Sequence, residues 1–518
     1  MNWKHTVCAA FACISAGTAC SDAVPMGELQ VASLNVLLPQ INQLATKAQL
    51  PMLPMLVPQL VDGEMAKKFG ELEKDRDWGV KLFLKDDGEI VAVPAWPLAA
   101  GGKEKWLKNN AGLKPEAGVW RLVRRFGEGE EHLKALYGAD EMVEYAAFSQ
   151  DGKWVFLAQE AEFAKKAAAL GAPFARPLAK GMFSCTISGE KTFDSFDTIC
   201  KKSEEQVRKM KEAAGIAESE EAAADGATAG IVPPDFPGPE AKDFALALLK
   251  EFKEVRLLAG VSSSGIDLRL RATPRDDSAI ASDCGVLPKA RRWLDGLPQD
   301  SIVAFAAAPF RPAGALGGKW NDFVRGSLKR LNDHIASLPG KAEKPEEKSE
   351  AEAFAATFGY FKDGVEAFAA SGAKSQAASF YMAENGGGAK SYLAKFDLAG
   401  GGRAGFDRQP PAGVLKTDTG KVFSVGGKDK GWKNDAPGRL ADAFAEAVPE
   451  AAGAERPVLA GRYVFSVGVS AENTKPFPVW LFGWKDKSSS CRALLRMTAK
   501  DFGELMAFLA AATMQIQP

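Results

Sequence analysis

Carboxylates are the reactive groups this chain offers in quantity, and they gather in "KDRD" (74–77) and "PRDDS" (274–278). A glycosidase places two carboxyls about 5–10 Å apart and holds one of them protonated. Spacing along the chain does not set that distance, and "PRDDS" also has the composition of a turn. Histidine is scarce. His5 lies at the very start, and His132 and His334 are far apart. A Ser-His-Asp system needs one positioned imidazole and a histidine metal site needs neighbours; the sequence marks neither. "ENGGGAKS" (384–391) resembles a phosphate loop, but Ala389 stands where the Gly before Lys-Ser is required. "AGGGRAG" (399–405) and "SVGGKDKG" (424–431) fit hairpin turns or loops better than a dinucleotide fingerprint. Trp78, Trp96, Trp480 and Trp484 border hairpins, where an exposed indole stacks on a sugar ring and a buried one fills a core. No catalytic, cofactor-binding or metal-ligating residue is assigned, and no cofactor is expected.

The seven cysteines are Cys8, Cys13, Cys20, Cys185, Cys200, Cys284 and Cys491. The first three fall in a segment that reads as an export signal. Lys4 and His5 give a polar start, and "TVCAAFACISAGTA" is an uncharged run ending in small residues. Cleavage before Cys20 would leave that cysteine for lipid; cleavage after Ala23 would release the chain. Gly17 is a poor substitute for the bulky residue a lipid box prefers, while Thr18 and Ala19 comply. Both outcomes stay open, and both leave four thiols. An even set in an exported chain suggests disulfides. Cys185–Cys200 is the nearest pair, closing a loop of about 15 residues worth about 3 kcal/mol in the chain-entropy model.

The elements that must position these groups are set by a chain of 518 residues, 46% apolar. Net charge is -1, and the short clusters "RLVRRF" (121–126) and "KARRW" (289–293) make no basic stripe, so nucleic acid is not an expected partner. Beyond the signal no stretch has the ~20 apolar residues of a membrane span. The apolar run at 31–61 is broken by Pro39, Pro51, Pro54 and Pro58; it suits a helix docked on its own domain or a segment lying on a membrane surface.

Strand–turn–strand signals recur. "WGVKLFLKDDGEIVAVPAW" turns at Asp87-Gly88, "EYAAFSQDGKWVFLAQE" at Asp151-Gly152 and "VRLLAGVSSSGIDLRLRATP" at Ser264-Gly265. In "IDLRLRA", Ile266, Leu268, Leu270 and Ala272 alternate with Asp267, Arg269 and Arg271, which predicts one buried and one wet face. "AEFAKKAAALG" and "PEAKDFALALLKEFKEV" predict helices, the second with Phe244, Leu248 and Phe252 on one side. Two polar stretches, near 215–240 and 338–352, read as a flexible insertion and a charged linker. The closing stretch "VWLFGWKDKSSSCRALLRMTAKD" echoes 255–276: an apolar strand, a Ser-rich turn, an Arg-bearing strand. The expected architecture is therefore α+β. A signal peptide (1–23) precedes two related halves, 24–282 and 283–518, each an antiparallel sheet of hairpins with helices on one face.

Over roughly 75–310 this order of hairpins resembles large exported bacterial proteins of unknown function, of the planctomycete and verrucomicrobial type. The likeness includes Val93-Pro94 in the first hairpin and the Ser278–Ala281 "S-x-x-A" after the Arg-bearing strand. It implies export and the two-half layout, and it offers no activity to transfer. The sequence expectation is an exported protein of the periplasm or cell envelope with a non-catalytic binding or structural role. Its partner would be an unidentified envelope ligand or protein, with a lipid anchor at Cys20 as one mode of membrane attachment. An envelope hydrolase using paired carboxylates is the alternative.

Overall fold

The computed structural model describes residues 24–47, 73–109, 115–116, 118–125, 141–171, 173–174, 178, 181–213, 238–262, 265–280, 286–287, 294, 301–308, 314–337, 376–384, 390–398, 421–426, 439–470 and 473–515. The signal segment with Cys20, then Cys284, His132, "KARRW", the stretches near 215–237 and 338–352 and the glycine-rich 399–405 lie outside these residues.

The chain divides into two compact units, Met1–Glu221 with Lys253–Ser262, and Ala222–Phe252 with Ser263–Pro518. In chain order the first unit carries β1 (Val24–Val31), α1 (Leu34–Lys47), β2 (Trp78–Leu84), β3 (Ile90–Pro97), α2 (Gly102–Asn109), β4 (Pro115–Glu116), β5 (Val119–Arg125), β6 (Glu141–Phe148), β7 (Trp154–Ala158), α3 (Ala161–Ala169), β8 (Phe183–Ser188), α4 (Glu190–Asp194) and α5 (Phe196–Ala213). Helix α6 (Pro239–Lys250) falls in the second unit, and β9 (Phe252–Ser262) returns to the first. The second unit continues with β10 (Gly265–Pro274), β11 (Ser301–Ala307), α7 (Gly314–Ser337), β12 (Gln376–Glu384), β13 (Lys390–Leu398), β14 (Lys421–Gly426), α8 (Arg439–Ala447), a short 3-10 turn (Pro449–Gly453), β15 (Arg456–Ser470), β16 (Asn473–Lys485), β17 (Cys491–Thr498) and α9 (Ala499–Gln515).

Within each unit the strands pair antiparallel. The first runs β4-β5-β6-β7-β3-β2-β1-β8-β9, and the second runs β14-β13-β12-β11-β15-β16-β17-β10. Six strands stand in the same order in both: β7-β3-β2-β1-β8-β9 and β14-β13-β12-β11-β15-β16. A helix follows the central strand in each case (α1 after β1, α7 after β11), and another follows the outer strand (α3 after β7, α8 after β14). The first unit adds α2-β4-β5-β6 between β3 and β7, and α4-α5 between β8 and β9.

Turn chemistry accounts for the hairpins. The Asp87 carboxylate accepts the Glu89 N–H at 3.0 Å. Asp151 accepts the Lys153 N–H at 3.1 Å and the Ser149 hydroxyl at 2.6 Å. Asp486 accepts the Ser488 and Ser490 N–H groups, each at 3.0 Å. Each aspartate thus substitutes for a backbone acceptor two residues on, the device that favours Asx turns. Gly88 and Gly152 both have positive φ, +87° and +68°. A Cβ on Gly88 would lie 2.5 Å from Thr198 Cγ2 of α5, whereas one on Gly152 meets nothing nearer than 3.6 Å. Gly152→Ala is expected to cost the left-handed strain alone, about 1–2 kcal/mol. Gly88→Ala adds the clash and is expected to cost more in urea unfolding; equal costs would contradict the α5 docking.

The first sheet is covered on both faces, which corrects the expectation of helices on one. Phe83, Val91, Val93, Trp154 and Phe156 pack with Phe163, Ala164 and Ala167 of α3. The alternate residues Val80, Leu82, Leu84 and Ala92 pack with Phe196 and Ile199 of α5, and Val155 and Leu157 pack with Trp106 of α2. The reason is in the strands. "LFL" (82–84), "IVAV" and "WVFLA" are apolar at consecutive positions, so both faces need cover. Within the apolar 31–61 run, α1 docks on its own unit. Leu34, Ile41 and Ala45 are buried, and Gln40 accepts the Val261 N–H at 3.3 Å; residues 48–61 lie outside the described ones. Helix α6 ends at Lys250, so Phe252 opens β9 instead of continuing the helical stripe. Phe244 stacks on Phe323 of α7, with centroids 5.7 Å apart.

Candidate functional site

The second unit has the arrangement that bears most on function. One face of its sheet carries α8: Phe444 meets Trp480 and Phe482, each with centroids 6.1 Å apart. Across this face the register aligns Arg462 of β15, Trp480 of β16, Arg496 of β17 and Asp267 of β10. Arg462 lies over the Trp480 ring at 5.6 Å. Arg496 is 1% exposed. Its Nε donates to Asp267 Oδ1 at 2.5 Å and its Nη2 to Oδ2 at 2.8 Å. Nη1 donates to the Ala447 carbonyl at 2.9 Å and to Glu450 Oε2 at 2.8 Å, and Nη2 reaches Glu450 Oε1 at 2.7 Å. Arg269 adds bonds to Asp267 at 2.7 Å and Glu450 at 3.0 Å. The predicted wet face of "IDLRLRA" thus holds a buried aspartate, while Leu268 and Leu270 opposite are only half-buried.

Burial alone would raise the Asp267 and Glu450 pKa values. Arg496, with Arg269, outweighs it and holds both carboxyls below their ordinary range. A glycosidase acid needs the opposite shift; the bonds of Arg496 to Asp267 and Glu450 tie the 3-10 turn after α8 to β10 and β17. Asp501 differs. Burial lifts its pKa, the Thr498 hydroxyl bond opposes this, and Glu504 adds to the rise. Glu504 itself is held down by its Lys475 partner at 3.0 Å. The Asp501 N–H also donates to Thr498 Oγ1 at 3.2 Å, a Thr-x-x-Asp cap at the start of α9.

The acids singled out from sequence are accounted for by the fold. Asp75 accepts the Asn35 side-chain amide. Asp77 is buried and accepts Gln30 Nε2 at 2.6 Å, the Ser33 N–H at 2.7 Å and the Leu178 N–H at 2.6 Å. Asp276 and Asp277 form an exposed turn, after which the Ser278 hydroxyl donates to Glu251 at 2.8 Å. Trp78 and Trp96 stack on each other at 5.0 Å; Trp480 is buried, and Trp484 stacks on Phe482 at 5.0 Å. Cys185 and Cys200 are free thiols, so the expected Cys185–Cys200 bond is not made. Between them the chain finishes β8 and runs through α4 into α5, and closeness in sequence does not become closeness of sulfurs. Burial pushes the Cys185 thiol pKa up. Among the described residues no group of His, Cys, Asp and Glu could hold a metal ion. His334 falls on α7.

The sheet face opposite α8 is apolar and incompletely covered. Leu481, Leu495 and Leu268 align across β16, β17 and β10, and Tyr463 pairs with Val479 beside them. Tyr463 is 47% and Leu495 38% exposed. α9 meets this face through Phe508 on Phe477, with centroids 6.2 Å apart. The sequence pattern locates these strands and predicts Leu268 on a buried face, where the structure leaves it half-buried. No helix among the described residues is long and apolar enough to cross a membrane. Comparison of the chain with protein-family models, with curated proteins and with solved structures finds no match.

Proposed function

We propose that this is an exported cell-envelope protein with a non-catalytic binding or structural role, built of two related halves, and that the apolar face around Tyr463 and Leu495 is its contact surface. The carrying observation is that exposed face, since incompletely covered apolar surface marks interaction sites. The shared order of six strands supports the two-half reading. The export-signal pattern at 1–23 and the resemblance of 75–310 support export. The described acids support a scaffold: Asp267, Glu450 and Asp77 are fully engaged by cations or N–H groups.

Among the described residues a hydrolase reading has one pair to rest on, Asp501 with a raised pKa and Glu504, three residues on, with a lowered one. The Thr498 cap accounts for the place of Asp501 without chemistry. A dye that fluoresces on apolar surface, such as bis-ANS, tests the proposed face. Native protein is expected to bind it, and Tyr463→Ser with Leu495→Lys should cut the signal severalfold. Val123→Ser, an equally exposed control, should leave it unchanged. An unchanged signal in the double variant, with the fold retained by circular dichroism, overturns the assignment of the face.

A further inference from the structure

We draw no further inference here: the strongest candidate, the half-exposed apolar sheet face around Tyr463 and Leu495 opposite α8 in the second unit, belongs to the site already described, and nothing in the structure shows what covers it.

Discussion

Replacing Arg496 by Leu is expected to destabilise the second unit by about 3–5 kcal/mol, the usual cost of removing one partner from a buried ion pair. The Asp267 carboxylate would stay buried without its two strongest donors, and Ala447 O and Glu450 would lose theirs. Urea unfolding followed by tryptophan fluorescence reads the effect, because Trp480 stands next to Arg496 in register. Converting the cluster together, with Arg496→Met, Asp267→Leu and Glu450→Leu, is expected to recover most of the loss, since none of the three groups then carries a charge and the half-exposed Arg269 can turn to water. The pH dependence has a definite sign. Both carboxyls have folded pKa values below their ordinary values of about 4. Their contribution is therefore present above that range and is lost as pH falls through the folded values. Asp267→Asn should flatten that acid limb of the stability curve. A single Arg496 variant as stable as the parent would show that the cluster contributes nothing.

Lys85→Met is expected to cost a similar amount in the first unit. Lys85 Nζ donates to Glu89 at 3.0 Å and to Glu160 at 2.6 Å, and it lies over the Phe163 ring at 5.6 Å. Its side chain is 3% exposed and that of Glu89 8%, while Glu160, just before α3, is 30% exposed. The bond to Glu160 ties the start of α3 to the β2–β3 hairpin. Removal of the ammonium leaves Glu89 buried and unpaired, whereas Glu160 can turn to water. Lys85→Met with Glu89→Leu should therefore be much more stable than Lys85→Met alone. Burial would lower the Lys85 pKa, but its bonds to Glu160 and Glu89 raise it overall. Its contribution is present below the ordinary lysine value of about 10.4 and is lost as pH rises through the higher folded value. Equal stability of the single and double variants would contradict this account.

These two clusters mark where sequence reading stops. The hairpins at Asp87-Gly88 and Asp151-Gly152 were legible because turn chemistry is local, and the helices α3 and α6 because apolar spacing is local. Which strands pair beyond a hairpin was not. β10 lies beside β17, more than 200 residues away, and only that pairing turns Asp267 from a wet-face residue into the partner of Arg496. Likewise "LKDDGE" advertises a turn, and nothing in it says that Lys85 is buried under Glu160. The cover of both faces of the first sheet was legible in its consecutive apolar residues, yet the strands were read as one-sided. The Cys185–Cys200 pairing failed because thiol parity and loop length carry no information on direction. The half-exposed apolar face around Tyr463 and Leu495 was invisible for the opposite reason: a half-exposed leucine and a core leucine look alike in sequence.

The central claim is export to the envelope, and the mature N-terminus tests it most directly. The full chain, produced in a Gram-negative host, is fractionated and its N-terminal peptide sequenced by mass spectrometry. The account predicts an envelope-fraction protein that begins either at Cys20 carrying acyl chains or at Val24 without them. Acylated Cys20 in the membrane fraction establishes the anchor, and Val24 in the soluble envelope fraction establishes release. A chain that keeps residues 1–19 and remains in the cytosol would contradict export, and with it the proposed role.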